Sequence, residues 1–458
     1  MLFDLSAEFE KFYCDEVVLP QDAQNDLRTK RNTNIRRLKS GLKEYNDEHG
    51  TSYSIAETLT QGSMAMHTVI QNDSNDYDID VAIVFDSANI NNLGPLSVRN
   101  IVADAINRKK GNLGTEPEVK TNCVRIKYSN GYHVDFAVYR RTLNSDGTYS
   151  YEHGGSAWRS RDPKAISNWF SDQIRSKGAK LRKGVRLLKT FSKSRSSWIM
   201  PGGLIQTVLC DEQINIGDDR LDETFYYLMK NIRDRLNVYI EVYNPTESTV
   251  SLLLKQSDRD KMEKLKSRLD TYLEKLNVLF DSNCSKSNAY NAWHEVFNHD
   301  FWNPDSVTES ASLSKSAFER STTVAFSNTE QFIEDEVNVN EIYEVEIDCE
   351  ASGNGFRTGP ISIYIDKVLK KFLPHNLSLR FYIKECNVPK PYDIWWKVRN
   401  VGAEAERRNC IRGNLLKTNQ PERKETTNFY GPHYVECYII KNGVCVAIGH
   451  IDVPIGHS

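Results

Sequence analysis

The stretch from Gln61 to Asp86, QGSMAMHTVIQNDSNDYDIDVAIVFD, constrains this chain more than any other. It closes on DIDVAIVFD (78–86), whose Ile and Val content reads as a β-strand. Side chains two apart on a strand share a face, so Asp78 and Asp80 project together while Ile79 points to the other side. Two carboxylates that close repel each other unless a cation lies between them. Mg2+ carrying triphosphate oxygens suits such an oxygen-only donor pair. Ahead of the strand, Gly62-Ser63 sits in a turn. Glycine lets an anion come close to the backbone there, and a serine hydroxyl can donate to it.

Two more strands are expected at 122–128 (NCVRIKY) and 132–139 (YHVDFAVY), joined through Ser129-Asn130-Gly131 with its Asn-Gly hairpin signal. The second carries Asp135 inside an apolar run, and a lone buried carboxylate is costly unless partnered. If these strands neighbour 78–86, Asp135 completes a set of three acids. Three carboxylates can hold two Mg2+ ions, one activating a 3′-hydroxyl and one clamping a triphosphate and its leaving pyrophosphate. Asp135 also suits a general base. A D-x-D pair alone is equally explained by exposed strand acids or a calcium loop. Gly-Ser, then D-x-D opening an apolar strand, then a third Asp in a later strand is far more specific. Asp73 and Asp76 read as loop acids, Asp76 also being a minor candidate for the metal set. Tyr77 reads as a packing residue, and His67, four residues after Ser63, could approach phosphate but reads better as a packing or surface residue.

Around this segment, 5–48 is expected to be helical, with Leu5, Phe9 and Phe12 at helical spacing, Ile35, Leu38, Leu42 and Tyr45 on one face, and Gly50 as the stop. Residues 163–195 read as a basic helical stretch that either steers triphosphates or is a solvated face. Further helices are expected at 201–213, 219–240 and 256–282. The polar segment 283–330 reads as a connector, partly helical around 308–320. From about 330 the pattern turns to strands, with Asn442-Gly443 as a second hairpin signal, and suggests an antiparallel β-sandwich or barrel. The division is 1–215 for a catalytic core, 216–325 for a helical substrate-binding lobe and connector, and 326–458 for a β-rich domain.

A chain of 458 residues, 39% apolar and 26% charged, is globular and built of two or three domains. A net charge of -3 argues against coating long nucleic acid. No signal peptide or apolar stretch of membrane-spanning length is found, which leads to the expectation of a cytoplasmic protein. Nine cysteines without a C-x-x-C pair fit reduced thiols. A zinc set of Cys410, His433 and Cys437 matches no usual spacing, and buried thiols explain these residues better.

With those residues in hand, 55–210 resembles the bacterial cGAS/DncV-like nucleotidyltransferases (CD-NTases, or SMODS enzymes) of the polymerase-β-like superfamily. The matching segments are Gly62-Ser63, Asp78-Ile79-Asp80, Asp135, WRSRDPKAISNWF (158–170), KGVRLLKTF (183–191) and PGGLIQTVL (201–209). Residues 330–455 resemble the AGS-C sensor domain often fused to these enzymes, through PKPYDIWWKVRNVGAEAERRNCIRGNL (389–415) and ETTNFYGPHYVECYIIKNG (425–443). The resemblance implies an α+β chain with a polymerase-β-like nucleotidyltransferase core, a helical lobe and a C-terminal β-sandwich-like domain. It implies joining of ATP, GTP or other triphosphates into a cyclic or linear oligonucleotide, with Mg2+ (Mn2+ as substitute), to activate a downstream effector during phage infection. By the same analogy Gly62, Ser63 and Lys189 bind nucleotide, although Lys189 also reads as an ordinary helix lysine. Where relatives often carry Ser after the proline, this chain has Gly202-Gly203, so a donor contact there is backbone only or comes from elsewhere. In the sensor region Trp396, Lys397, Arg399, Arg412 and His433 either grip a small ligand or are core and interstrand pairs. A catalytically silent nucleotide sensor and a toxin that nucleotidylates protein or transfer RNA are the readings from other classes. The oligomeric state stays open.

Overall fold

The structure, a computed structural model, describes residues 1–458 except 73–76, 92, 112–114, 129–130, 305–330, 340, 354, 362–371, 401–402, 409–411, 429 and 457–458. The expected helix at 308–320, the loop acids Asp73 and Asp76, Cys410 and the Ser129-Asn130 corner lie outside the described residues. The chain divides into two compact units, Met1–Ser321 and Thr322–Ser458.

The first unit opens with α1 (Ser6–Phe12), which runs on into a π-helical turn, Tyr13–Val17. The expected continuous helix is broken there. Pro20 fits only at a helix start, and α2 (Gln21–His49) begins directly after it and stops at left-handed Gly50. Then come β1 (Ile55–Gln61), the single turn α3 (Gly62–Ala65), β2 (Asp78–Asp86) and α4 (Pro95–Arg108). Five short strands follow: β3 (Glu118–Val119), β4 (Val124–Lys127), β5 (His133–Leu143), β6 (Tyr149–Gly154) and β7 (Trp158–Ser160). They form one mixed sheet in the order β1-β2-β5-β4-β3, with β6 and β7 continuing from the far half of β5. The pair β2·β5 is parallel. Parallel neighbours need a long crossover, and the connection through α4 provides it. β1 was not foreseen, because IAETLTQ carries too few strong strand formers to stand out.

The helices after the sheet are α5 (Ala165–Lys177), α6 (Ala179–Lys193), α7 (Gly203–Gln213) and α8 (Leu221–Val238). A small hairpin follows, β8 (Tyr243–Asn244) and β9 (Glu247–Ser251), then α9 (Gln256–Lys275) and α10 (Lys286–Phe297). Helix α10 corrects the reading of 283–330 as a connector. Ser285 caps it by accepting from the Asn288 amide, and Ala289, Trp293 and Phe297 bury one face at helical spacing. That face meets α1: Phe9 lies 4.5 Å from the Trp293 ring and 5.1 Å from Trp302.

The second unit contains α11 (Ile333–Glu336), β10 (Asn338–Val339), β11 (Val345–Gly353), β12 (Phe356–Pro360), β13 (Ser378–Cys386) and β14 (Asp393–Arg399). It continues with α12 (Ala403–Arg407), β15 (Leu415–Lys417), β16 (Glu422–Thr426), β17 (Gly431–Lys441) and β18 (Val444–Ile455). Two sheets result, β10-β18-β17-β14-β15 and β12-β11-β13-β16. Ile347, Cys349 and Phe381 from one meet Trp396, Cys437 and Ile439 from the other in a shared core. The described strand pairs here are antiparallel except β10·β18, and an isolated bridge between Leu373 and Ile455 is parallel too. Asn442 and Gly443 both take positive φ, the geometry a tight hairpin demands.

Candidate active site

Strand β2 sorts its side chains by parity. Ile79, Val81, Ile83 and Phe85 are fully buried against α2 and α4 residues such as Leu38, Leu42 and Val102. Ala82 and Val84 lie on the opposite face with Leu59 and Tyr139. Strand β5 does the same, with Val134, Phe136 and Val138 in the helix-covered core. In the parallel register Asp80 stands opposite Asp135, and Asp78 opposite His133. The three aspartates therefore share the face turned away from the helices, where they line a cleft of about 850 Å³ together with Gly62, Ser63 and Lys189.

Negative charge is in excess on this wall. The Asp80 carboxyl is pushed up to about 6, first by burial, then by the charges of Asp78 and Asp135, against the opposing pull of Arg125 and Arg161. A divalent cation fits an all-carboxylate donor set whose own repulsion suppresses ionisation. Arg125 pairs with two of these acids. Its guanidinium donates through Nε to Asp135 Oδ1 at 2.8 Å and through Nη2 to Asp135 Oδ2 at 2.6 Å. The same Nη2 stands 3.8 Å from Asp78 Oδ1, and His133 Nδ1 is 3.5 Å from that oxygen. Among the described residues no three His, Cys, Asp or Glu side chains converge as a formed ligand set. In the acidic wall, both Asp135 oxygens are turned to Arg125.

Gly62 is dictated twice over. Its φ is +63°, and a Cβ there would lie 2.1 Å from Asp80 Oδ2. Only glycine lets the α3 turn rest on the acid. The turn is closed by the Thr68 amide, which donates to the Ser63 carbonyl at 2.8 Å. Lys189 reaches this turn from α6. Its Nζ donates to the Thr68 carbonyl at 3.0 Å and to Thr68 Oγ1 at 2.8 Å. Burial, and then the charges of Arg186 and Lys193, lower its ammonium to about 7. So Lys189 is a buried anchor at the cleft wall, not an ordinary solvated lysine. At Gly203 a Cβ would press to 3.3 Å from Lys189 Cε, whereas one at Gly202 would meet open space. The middle of the basic stretch is no solvated face, since Arg182 and Arg186 are buried and Lys183 pairs with Glu10 at 2.7 Å, while Arg175 and Lys193 are exposed.

Residues that sequence reasoning passed over complete the walls. Gln61 Nε2 donates to the Pro163 carbonyl at 2.8 Å and to Tyr139 Oη at 3.3 Å. Arg161 lines the cleft, and its charge is felt by Asp80, Tyr139 and His153. Glu57 ties the neighbouring strands. Burial alone would raise its carboxyl, but hydrogen bonds from Lys164, Arg141 and Tyr151 outweigh that and leave it lowered. Arg125 alone had a findable signal, as an isolated arginine in an apolar strand across the hairpin from Asp135.

The five sensor-region residues are not brought together. Trp396 is fully buried in the intersheet core, its indole N–H donating to the Gln420 carbonyl, so it offers no face for stacking. Lys397 points to the opposite face and lies buried 3.6 Å from Glu436. Arg399 donates to the Arg412 carbonyl, and Arg412 forks onto Glu425 at 2.7 and 3.0 Å. Arg412 and His433 do border a small recess with Asn400 and Glu425. Cys437 is a buried core thiol whose pKa burial pushes up.

Comparison with known proteins accords with this geometry. Residues 56–139 match the nucleotidyltransferase domain described as cyclic GMP-AMP synthase DncV-like, and residues 327–456 match the adenylyl/guanylyl and SMODS C-terminal sensor domain. The cyclic GMP-AMP synthase of Escherichia albertii is 26% identical over 411 residues, covering 86% of this chain and 83% of that one. Vibrio cholerae DncV, solved in complex with the linear intermediate 5′ pppA(3′,5′)pG, superimposes with a TM-score of 0.55 at 16% identity, over 67% of this chain and 98% of that one. Its complex with nonhydrolyzable GTP gives a TM-score of 0.54 at 17% identity, over 66% and 98%. Fold and site thus define an α+β nucleotidyltransferase with a polymerase-β-like core. More particularly, residues 56–139 carry a DncV-like nucleotidyltransferase domain and residues 327–456 an adenylyl/guanylyl and SMODS C-terminal sensor domain. No helix among the described residues is long and apolar enough to cross a membrane.

Proposed function

We propose that this chain joins nucleoside triphosphates such as ATP and GTP into a cyclic oligonucleotide second messenger for bacterial antiphage (CBASS-type) signalling, the product being recognised by a downstream effector. Asp78, Asp80 and Asp135 hold Mg2+, or Mn2+ in its place. The observation that carries the reading is the register of β2 against β5, which sets Asp80 opposite Asp135 on the cleft face with Gly62 against Asp80. Bound metal supplies Lewis-acid stabilisation of the triphosphate and of the leaving pyrophosphate. The chain's own groups do the rest. The α3 turn with Gly62 and Ser63 receives the triphosphate, Lys189 holds that turn in place, and Asp135 takes the proton of the attacking 3′-hydroxyl. In each condensation the 3′-oxygen bonds to the α-phosphorus, the bond from that phosphorus to the bridging oxygen breaks, and pyrophosphate leaves.

A linear product made by the same chemistry remains the second reading, because the three acids serve one condensation as well as two. Mass spectrometry of products from all four ribonucleotides and dATP, with Mg2+ or Mn2+, separates the two. A ring mass supports the proposal, and a 5′-triphosphate oligonucleotide as the end product overturns the cyclic reading. A small ligand at the C-terminal unit is proposed at the recess bordered by Arg412 and His433, not at Trp396.

A further inference from the structure

The acidic wall contains a feature that metal chemistry alone does not require. Arg125 and Asp135 are direct partners across the β4·β5 ladder. A cross-strand arginine opposite an aspartate forks onto both carboxylate oxygens with little freedom to lose, and charge-assisted forks are the strong class of hydrogen bond. Both bonds are short, Asp135 is nearly buried, and the guanidinium leans on to Asp78 as well. A fixed positive charge thus sits where it neutralises the very oxygens a divalent ion needs.

We propose that Arg125 is a positioning residue that acts as an internal counter-cation. It holds Asp135 and Asp78 in a low-charge, metal-poor arrangement, so that full metal loading requires the fork to open. The inference rests on the reading of Asp78, Asp80 and Asp135 as the metal site, and adds what controls that site's affinity. A unit charge a few ångström from a divalent ion repels it, and more so in a partly buried site than in water. Arg125 therefore depresses metal affinity in the nucleotide-free protein. The triphosphate, which brings negative charge of its own, offsets that repulsion and offers the guanidinium another anion.

The test is Mn2+ binding to the nucleotide-free full-length chain, followed by electron paramagnetic resonance of free Mn2+. Wild type, Arg125→Gln, Arg125→Lys and Asp78→Asn are compared, each with its fold confirmed by circular dichroism. The proposal expects Arg125→Gln to bind Mn2+ at least about tenfold more tightly than wild type, with Arg125→Lys between them. Equal or weaker binding by Arg125→Gln overturns it, since an arginine that merely braces a ligand would lower affinity when removed. If Asp78→Asn binds as well as wild type, the metal-site reading itself has failed, and this inference falls with it. If Asp78→Asn loses Mn2+ while Arg125→Gln matches wild type, only the counter-cation role is overturned.

Discussion

Gly62 and Asp80 are in contact, and each shows how narrow the tolerances of the site are. A methyl group at Gly62 would need the space of Asp80 Oδ2 and a left-handed backbone. Gly62→Ala is expected to fold but to lose kcat/KM by about a hundredfold or more, because displacements near 1 Å cost that much. Steady-state kinetics against the intact thermal transition checks it. Asp80 carries the electrostatic strain. Its carboxyl sits at about 6 against an ordinary 3.8, so between roughly pH 4 and 6 the unfolded chain ionises this group and the folded one does not. The metal-free protein should therefore lose stability as pH rises through that window, on the order of 2–3 kcal/mol from this group. Asp80→Asn should remove the loss, raising Tm in EDTA at pH 7 while abolishing turnover. An unchanged or lowered Tm contradicts the strain. The same raised carboxyl makes Mn2+ affinity fall as pH is lowered from 7 to 5, because the ion must then displace a proton.

Among the elements, α1 shows how far propensity and burial can part. Its seven residues could not form a stable helix alone. They are held by Phe9 and Phe12, which are fully buried among Trp293, Phe297 and Trp302. The N-terminal segment is also tied down by Asp222, which accepts from the Leu5 amide at 3.0 Å. Phe9→Ala is expected to cost about 3–5 kcal/mol, read by urea denaturation of the first unit. Helix α10 was missed because polar residues dominate its surroundings, although Ala289, Trp293 and Phe297 mark a face. Strand β2 was readable, because a strand buried on both sides is written as an unbroken apolar run. The partner of Asp135 was also within reach. Tyr128 and Tyr132 close the turn, and counting outward from them brings Arg125 opposite Asp135. What could not be read was the pairing of β2 with β5, since a parallel pair is set by a crossover and not by a local turn.

For the whole molecule, the two units have separate cores. Among the described residues, the main C-terminal cluster runs from Val345 to Ile455, and a second one gathers Ile333 with Leu415, Tyr438, Ile440 and Cys445. Calorimetry of the full chain should show two thermal transitions, and a chain truncated after Ser321 should keep one of them and a folded catalytic core. An insoluble or unfolded truncation would contradict the division. The sequence by itself determined the proposed catalytic inventory: D-x-D on an apolar strand, a third acid on a later one, and glycine at the turn; it also marked a change to strand pattern near residue 330. Those are local signals, carried by side-chain parity and turn chemistry. Tertiary structure alone decided that Asp80 faces Asp135, that Lys189 is buried against Thr68, that Trp396 is core, and that the Arg125 guanidinium also reaches Asp78. Such facts depend on which distant strands and helices come together, and on how much water each charge loses when they do.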